Sequence, residues 1–91
     1  MSKTTIEHDE IRRWVSERGG YPSRVKGTDE KGGLLRIDYP GYSGDETLQT
    51  ITWTEFFKAF EKNQLAFLYE DETKSGEESR FSKLISRRKD N

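Results

Sequence analysis

The stretch TWTEFFKAFEKNQLAFLYED, residues 52–71, contains the clearest helix signal and the clearest strand signal in the chain. Its first half places aromatic residues at offsets of zero, three, four and seven, the spacing of one apolar helix face. These residues are Trp53, Phe56, Phe57 and Phe60. Thr52 and Glu55 fit a capping box at the start of the helix, and Asn63 is suited to end it. The pattern predicts a helix over residues 53–62.

The second half, LAFLYE at residues 65–70, predicts a strand. Apolar residues occupy both sets of alternating positions, and successive side chains of a strand point to opposite faces. One face carries Leu65, Phe67 and Tyr69, and the other carries Ala66 and Leu68. A strand with two apolar faces is typical of a central position in a sheet that is covered on both sides.

A first helix is predicted over residues 5–18. Thr4 and Glu7 fit a capping box at its start, and Gly19 is suited to the left-handed conformation that ends many helices. Its apolar stripe consists of Ile11, Trp14 and Val15, at helical spacing. The narrow stripe indicates a helix that buries one face against the rest of the domain.

Two short strands are predicted at residues 23–27 and 34–39. The residues between them, TDEKGG at 28–33, are typical of a turn. The two strands therefore form a predicted antiparallel hairpin with a loop longer than two residues.

The C-terminal segment at residues 80–87 places apolar residues on one helical face, which predicts a short helix, with an extended segment as the alternative. Together the elements predict an α+β fold, a small two-layer domain. Its sheet of about three strands combines the hairpin 23–27/34–39 with strand 65–70, and helices 5–18 and 53–62 pack on it. We expect one domain over residues 1–91, with residues 1–4 and 88–91 disordered.

Composition limits the classes of function. The 91 residues are 30% hydrophobic and 36% charged, and the net charge is −1, so no bulk attraction to nucleic acid or anionic membrane is expected. Cysteine is absent, which excludes disulfides and thiolate metal sites. No apolar run approaches the roughly 18 residues of a membrane span. We expect a cytoplasmic protein without a membrane partner.

Residues suited to catalysis are few. His8 is the only histidine, and we interpret it as a half-exposed residue at the edge of the first helix stripe. Three acidic pairs lie at 9–10, 45–46 and 71–72, where solvated charge is the favoured interpretation. The sequence therefore predicts no catalytic residue, no metal and no cofactor, and we do not expect an enzyme.

The loop YPGYSGDE at residues 39–46 is the first candidate for a ligand or partner surface. Its glycines do not match a phosphate-binding pattern, and the two acids at its end would repel a phosphate. We interpret it as a turn with packed tyrosines. If the protein has a small-ligand or peptide site, Tyr39, Tyr42 and Ser43 are the residues expected to form it.

Two clusters of basic residues suggest an alternative role in nucleic-acid binding. Residues 79–91 have a net charge of +4, and residues 66–78 have a net charge of −4, so the tail either contacts phosphates or neutralises the neighbouring acids. The predicted contacts are Arg87, Arg88 and Lys89 in the tail and Arg24, Lys26 and Arg36 on the hairpin.

Three segments together resemble a family of short uncharacterised bacterial proteins. They are HDEIRRWVSERGGYPSRVKGT (8–28), GGLLRIDYPGYSGDETLQTITWTEFFKAFEKNQLAFLYEDET (32–73) and SRFSKLISR (79–87). Some members have the automatically assigned label 1,4-alpha-glucan branching enzyme. Branching enzymes are built on a barrel of about 250 residues, which 91 residues cannot form, so we expect that label not to apply. The resemblance implies one compact domain in a bacterial cytoplasm and no catalytic residue.

These observations predict a small non-enzymatic binding or adaptor module that engages an unknown protein partner. Nucleic-acid binding through the basic residues is one alternative. A carbohydrate-related accessory role, which the family label suggests, is the other.

Overall fold

The computed structural model describes residues 2–27, 34–41, 47–73 and 75–87. Six strands and two helices occupy these residues. In chain order they are β1 (Ser2–Thr5), α1 (His8–Glu17), β2 (Tyr21–Val25), β3 (Leu35–Asp38), β4 (Leu48–Thr50), α2 (Trp53–Lys62), β5 (Leu65–Glu70) and β6 (Ser82–Ser86).

The strands form two three-stranded antiparallel sheets, ordered β1-β5-β6 and β3-β2-β4. The predicted α+β class, the hairpin and the strand at 65–70 are confirmed. The predicted single sheet, in which strand 65–70 joins the hairpin, does not form, because β5 belongs to a different sheet from the hairpin. The hairpin takes β4 as its third strand, with Val25 opposite Leu48. β5 instead lies between β1 and β6, so two sheets replace the one expected.

The N-terminal prediction is corrected. Ser2–Thr5, expected to be partly disordered and partly helical, forms β1 and pairs with β5. Thr5 ends this strand, its hydroxyl accepts a hydrogen bond from the Glu7 backbone N–H, and α1 begins only at His8. The expected capping box at Thr4 therefore does not form, since its residues are used by the ladder and by the turn that follows.

For the C-terminal segment the extended alternative is the one that forms, because residues 80–87 contain strand β6, and the short helix predicted there is wrong. The ladder with β5 explains this conformation. It places Leu84 opposite Phe67 on the core face and Ile85 opposite Ala66 on the other face, and it satisfies backbone groups that β5 would otherwise leave unpaired. The predicted disordered tail at 88–91 lies outside the described residues.

Helix α2 matches its prediction, and its capping box is formed by Thr52 and Glu55. The buried residues of α1 and α2 meet β5 and the β2-β3 hairpin in one core. This core consists of Ile11, Trp14, Val15, Leu35, Tyr39, Ile51, Phe56, Phe57, Ala59, Phe60, Phe67 and Tyr69. Both helices therefore lie against the Phe67 and Tyr69 face of β5.

Candidate functional site

The predicted tyrosine site is not an open surface at Tyr39. This side chain is 9% exposed, its hydroxyl is hydrogen-bonded to Ser82 Oγ at 3.0 Å, and its ring meets Trp14 edge-on. Burial raises the pKa of Tyr39 to about 12. Tyr42 and Ser43 lie outside the described residues. Tyr39 therefore joins the β3 end to β6 as part of the core.

The predicted basic hairpin face is divided between two sides of the sheet. Arg36 lies opposite Ser23, whereas Arg24 lies opposite Leu35, one position along the ladder. Because side chains alternate between faces, Arg24 and Arg36 point to opposite sides. Lys26 follows β2, and its backbone N–H donates to the Thr47 carbonyl.

Arg87 has a structural partner set. Its guanidinium binds both carboxylate oxygens of Glu61 at 3.2 Å and donates to the Leu65 carbonyl at 2.9 Å. Arg87 and then His8 hold the pKa of Glu61 below its ordinary value. The predicted contacts Arg88 and Lys89 lie outside the described residues. Arg87 thus fastens the end of β6 to α2.

His8 completes the same junction at the first turn of α1. Its Nε2 lies 2.8 Å from Glu61 Oε2, and its ring stacks on Phe57 with centroids 4.0 Å apart. It is partly exposed, as expected from its position at the edge of the helix stripe. Its contacts hold α1 against α2.

A second polar junction surrounds the Trp14 indole. Trp14 Nε1 donates to Asp71 Oδ1 at 3.1 Å, and Lys3 Nζ lies 2.6 Å from Asp71 Oδ2. The hydrogen bond and charge of Lys3 hold the pKa of Asp71 below its ordinary value. The Arg18 guanidinium stacks on Trp14 and donates to backbone carbonyls of residues 14, 71 and 79. These groups tie α1 to the residues after β5.

A third contact joins α1 to β5. Tyr69 donates a hydrogen bond to Glu10 Oε2, and Thr5 donates to Glu10 Oε1 at 2.9 Å. Burial, followed by the Glu10 hydrogen bond, raises the pKa of Tyr69 to about 12. Each of these polar clusters therefore connects secondary-structure elements.

Raising the pH from about 10 to 12 is expected to destabilise the fold through Tyr39. Its pKa is raised from 10.0 to about 12, so the unfolded chain loses this proton first. The stabilisation is complete below pH 10 and is lost as the pH approaches 12, amounting to about 2 to 3 kcal/mol. Urea unfolding at several pH values measures it. The Tyr39→Phe variant should show a shallower decline, and equal slopes for both proteins would contradict the assignment.

The second face of β5 carries a different set of residues, which we call the outer face. Alternation places Ala66, Leu68 and Glu70 on it. On β1 the register adds Ser2 and Thr4. On β6 it adds Lys83 and Ile85, and the hydrogen bond from the Glu70 N–H to the Phe81 carbonyl extends the ladder to Phe81. Read across β1, β5 and β6, the outer face therefore consists of three rows of neighbouring residues, namely Ser2–Glu70–Phe81, Thr4–Leu68–Lys83 and Ala66–Ile85.

The outer face is partly apolar and open within the described residues. Phe81 is 49% exposed, and Leu68 and Ile85 are partly exposed. Ile6, directly after β1, is 43% exposed. All buried residues of α1 and α2 belong to the core on the opposite side, whereas Leu68 and Ile85 do not pack against that core. In the part of the chain that the structure describes, the helices therefore cover β5 on the core side, while on the outer face Ala66 is 3% exposed and Leu68 is partly exposed.

Charged residues flank the centre of the outer face. Lys83 lies directly beside Leu68 on β6, and Glu70 lies two residues beyond Leu68 on β5. Lys83 is exposed, and the Glu70 carboxylate accepts a hydrogen bond from Ser2 Oγ at 3.2 Å. The face therefore combines an apolar centre with one positive and one negative group.

Comparison of the chain with protein-family models, with curated proteins and with solved structures gives no match. The resemblance to short bacterial proteins stays a prediction. Within the described residues, neither helix has the length and apolar character needed to cross a membrane, and no group of three metal-ligating side chains is assembled. The sequence alone does not indicate the outer face, because residues 80–87 fit a short helix as well as an extended segment. The alternation of Phe81, Lys83 and Ile85 was the signal for it.

Proposed function

We propose that the protein is a small non-enzymatic protein-binding module and that the outer face is its binding surface. The observation that carries this proposal is the 49% exposure of Phe81 on the same sheet face as the partly exposed Leu68 and Ile85, opposite the core that the two helices cover. Exposed apolar residues grouped on one face, with charged residues among them, are found at protein interaction sites.

Energetics favour a protein as the partner. Full burial of a phenylalanine side chain contributes about 1.5 to 3 kcal/mol. Phe81 is 49% exposed, so the free protein forgoes about half of this contribution. Aromatic residues are enriched at the centres of protein interfaces, and a charged pair nearby gives orientation more than affinity. Lys83 and Glu70 supply that pair. A protein surface with apolar groups opposite Phe81 and charges opposite to those of Lys83 and Glu70 would match the outer face.

The ionisable groups support a role without catalysis. The carboxylates of Glu55, Glu61 and Asp71 have pKa values below the ordinary range, because hydrogen bonds and cations stabilise their charged forms. A general acid at neutral pH needs a raised pKa instead. Glu55 caps α2, and Glu61 and Asp71 each bind side chains from other secondary-structure elements, so all three carboxylates have structural roles.

The two alternatives have weaker support. Arg24 and Arg36 lie on opposite faces, and Arg87 is engaged by Glu61, so these residues do not form one phosphate-binding surface. A carbohydrate site at Tyr39 would require a buried ring to become accessible. A cytoplasmic location belongs to the same proposal as the protein partner.

Photo-crosslinking in the native cell tests the proposal. Replacing Phe81 with p-benzoylphenylalanine keeps an aromatic side chain on the outer face, and the matched control places the same group at Lys58, on the exposed side of α2. We expect a discrete protein adduct from position 81 and none from position 58. Absence of an adduct at position 81, or equal adducts at both positions, would overturn the proposal.

A further inference from the structure

We infer that the partner of the outer face is a second copy of the same chain, packed face to face with its strands nearly at right angles. This inference rests on the proposed function, because it names the protein that the outer face binds. It follows from the positions of Glu70 and Lys83 relative to Leu68, the central residue of the face.

Glu70 and Lys83 lie in perpendicular directions from Leu68. Glu70 is two residues along β5, which corresponds to roughly 6.5 Å. Lys83 is the ladder partner of Leu68 on β6, at the strand spacing of about 4.8 Å. Phe81 is the ladder neighbour of Glu70, so it occupies the corner diagonal to Leu68. The four residues therefore form a small rectangle.

A two-fold axis in the plane of the interface relates two such faces. If the axis runs diagonally over Leu68 and Phe81, each of these residues meets its own equivalent in the second copy. The same axis brings the direction along β5 in one copy close to the direction across the strands in the other. Glu70 of each copy therefore faces Lys83 of the other. The contact then has an apolar centre with a complementary ion pair on either side.

The other axes are disfavoured by charge. An axis along β5 would place Glu70 against Glu70, and an axis across the strands would place Lys83 against Lys83. The other diagonal through Leu68, which avoids Phe81, would place Glu70 against Thr4 and Lys83 against Ala66, without an ion pair. An axis over Glu70 and Lys83 would place each charge against its own equivalent. Only the first diagonal pairs opposite charges, and it corresponds to the orthogonal class of sheet packing.

The size and charge of the surface set the expected strength. A face of three short strands is smaller than the roughly 800 Å² per partner of a standard interface, so association should be weak, with a Kd on the order of 10 to 100 μM. The net charge of −1 leaves little repulsion between copies. We expect a concentration-dependent dimer.

Sedimentation equilibrium with charge-reversed variants tests this arrangement. The Glu70→Lys and Lys83→Glu chains should each self-associate at least about tenfold more weakly than the wild type, because like charges then face each other. An equimolar mixture of these two chains, and the double variant with both changes, should regain dimerisation because opposite charges face again. The Lys58→Glu chain, with the same charge change on α2, serves as the control and should dimerise like the wild type.

Two outcomes would overturn the inference, and the Phe81 probe shows whether the proposed function falls with it. A wild-type chain that stays monomeric up to about 1 mM excludes a second copy as partner at any useful affinity. If the Phe81 probe still gives an adduct with a different protein, protein binding stands and only the self-association is wrong. If that probe gives no adduct either, the proposed function fails with it. A dimer that is insensitive to both reversals uses another surface.

Discussion

Replacing Phe60 with Ala is expected to lower the free energy of unfolding by about 3 to 5 kcal/mol. Phe60 is fully buried, and its ring lies 6.2 Å from that of Phe56 and 5.9 Å from that of Phe57. The Arg87 guanidinium lies over its other side, at 5.6 Å. These aromatic rings and Arg87, which is held by Glu61, surround the Phe60 side chain. The site therefore cannot collapse easily around a smaller side chain, and a cavity remains.

Urea denaturation followed by tryptophan fluorescence measures this change. Lys58→Ala is the matched control, since Lys58 is exposed two residues earlier on the same helix, and it should shift stability by no more than about 0.5 kcal/mol. If Phe60→Ala were as mild as Lys58→Ala, the aromatic face of α2 would not be the core of the domain.

Replacing Arg18 with Ala is the second large effect, at about 1.5 to 3 kcal/mol. Its side chain is only 6% exposed and donates hydrogen bonds to the carbonyls of Ser79 at 2.5 Å, Trp14 at 3.1 Å and Asp71 at 3.2 Å. Its guanidinium also lies 4.0 Å from the Trp14 ring centroid. Truncation removes the planar group that satisfies three carbonyls from two parts of the chain.

Hydrogen exchange distinguishes this role from a general loss of stability. Arg18→Ala should speed exchange most at the Ser79 amide, which donates to the Asp71 carbonyl in the segment that Arg18 holds. Arg13→Ala, on the exposed side of the same helix, should leave this amide protected. Equal protection in the two variants would show that Arg18 does not hold the segment in place.

Local signals predicted α2 and β5 well. The capping residues Thr52 and Glu55 and the aromatic periodicity act within a few residues of each other, so the sequence contains all that the helix needs. The same holds for β5, whose apolar alternation is strong enough to require a central strand. Elements of this kind are visible without knowing what packs against them.

Elements that depend on distant neighbours were not predictable in the same way. β1 has the polar sequence SKTT, and it is a strand because its backbone pairs with β5, more than 60 residues later. In β6 the residues Phe81, Leu84 and Ile85 fit a helix as well as a strand. The ladder with β5 decides between the two, and tertiary contacts override the local pattern.

The candidate site followed from this difference. If residues 80–87 formed a helix, Phe81 and Ile85 would pack inward together with Leu84, and there would be no outer face. With β6 as a strand, Leu84 stays on the core while Phe81 and Ile85 move to the opposite side. The burial of Tyr39 could not be predicted from the local sequence either, because it depends on contacts with Trp14 and Ser82.

Crosslinking from position 81 in an Ile85→Thr background tests whether the outer face serves binding rather than folding. Thr is β-branched and suits a strand, so the free energy of unfolding should fall by no more than about 1 kcal/mol. We expect the p-benzoylphenylalanine adduct to be lost while the chain stays folded. An adduct of undiminished yield in the folded variant would contradict it, because the apolar face would then contribute nothing to the contact.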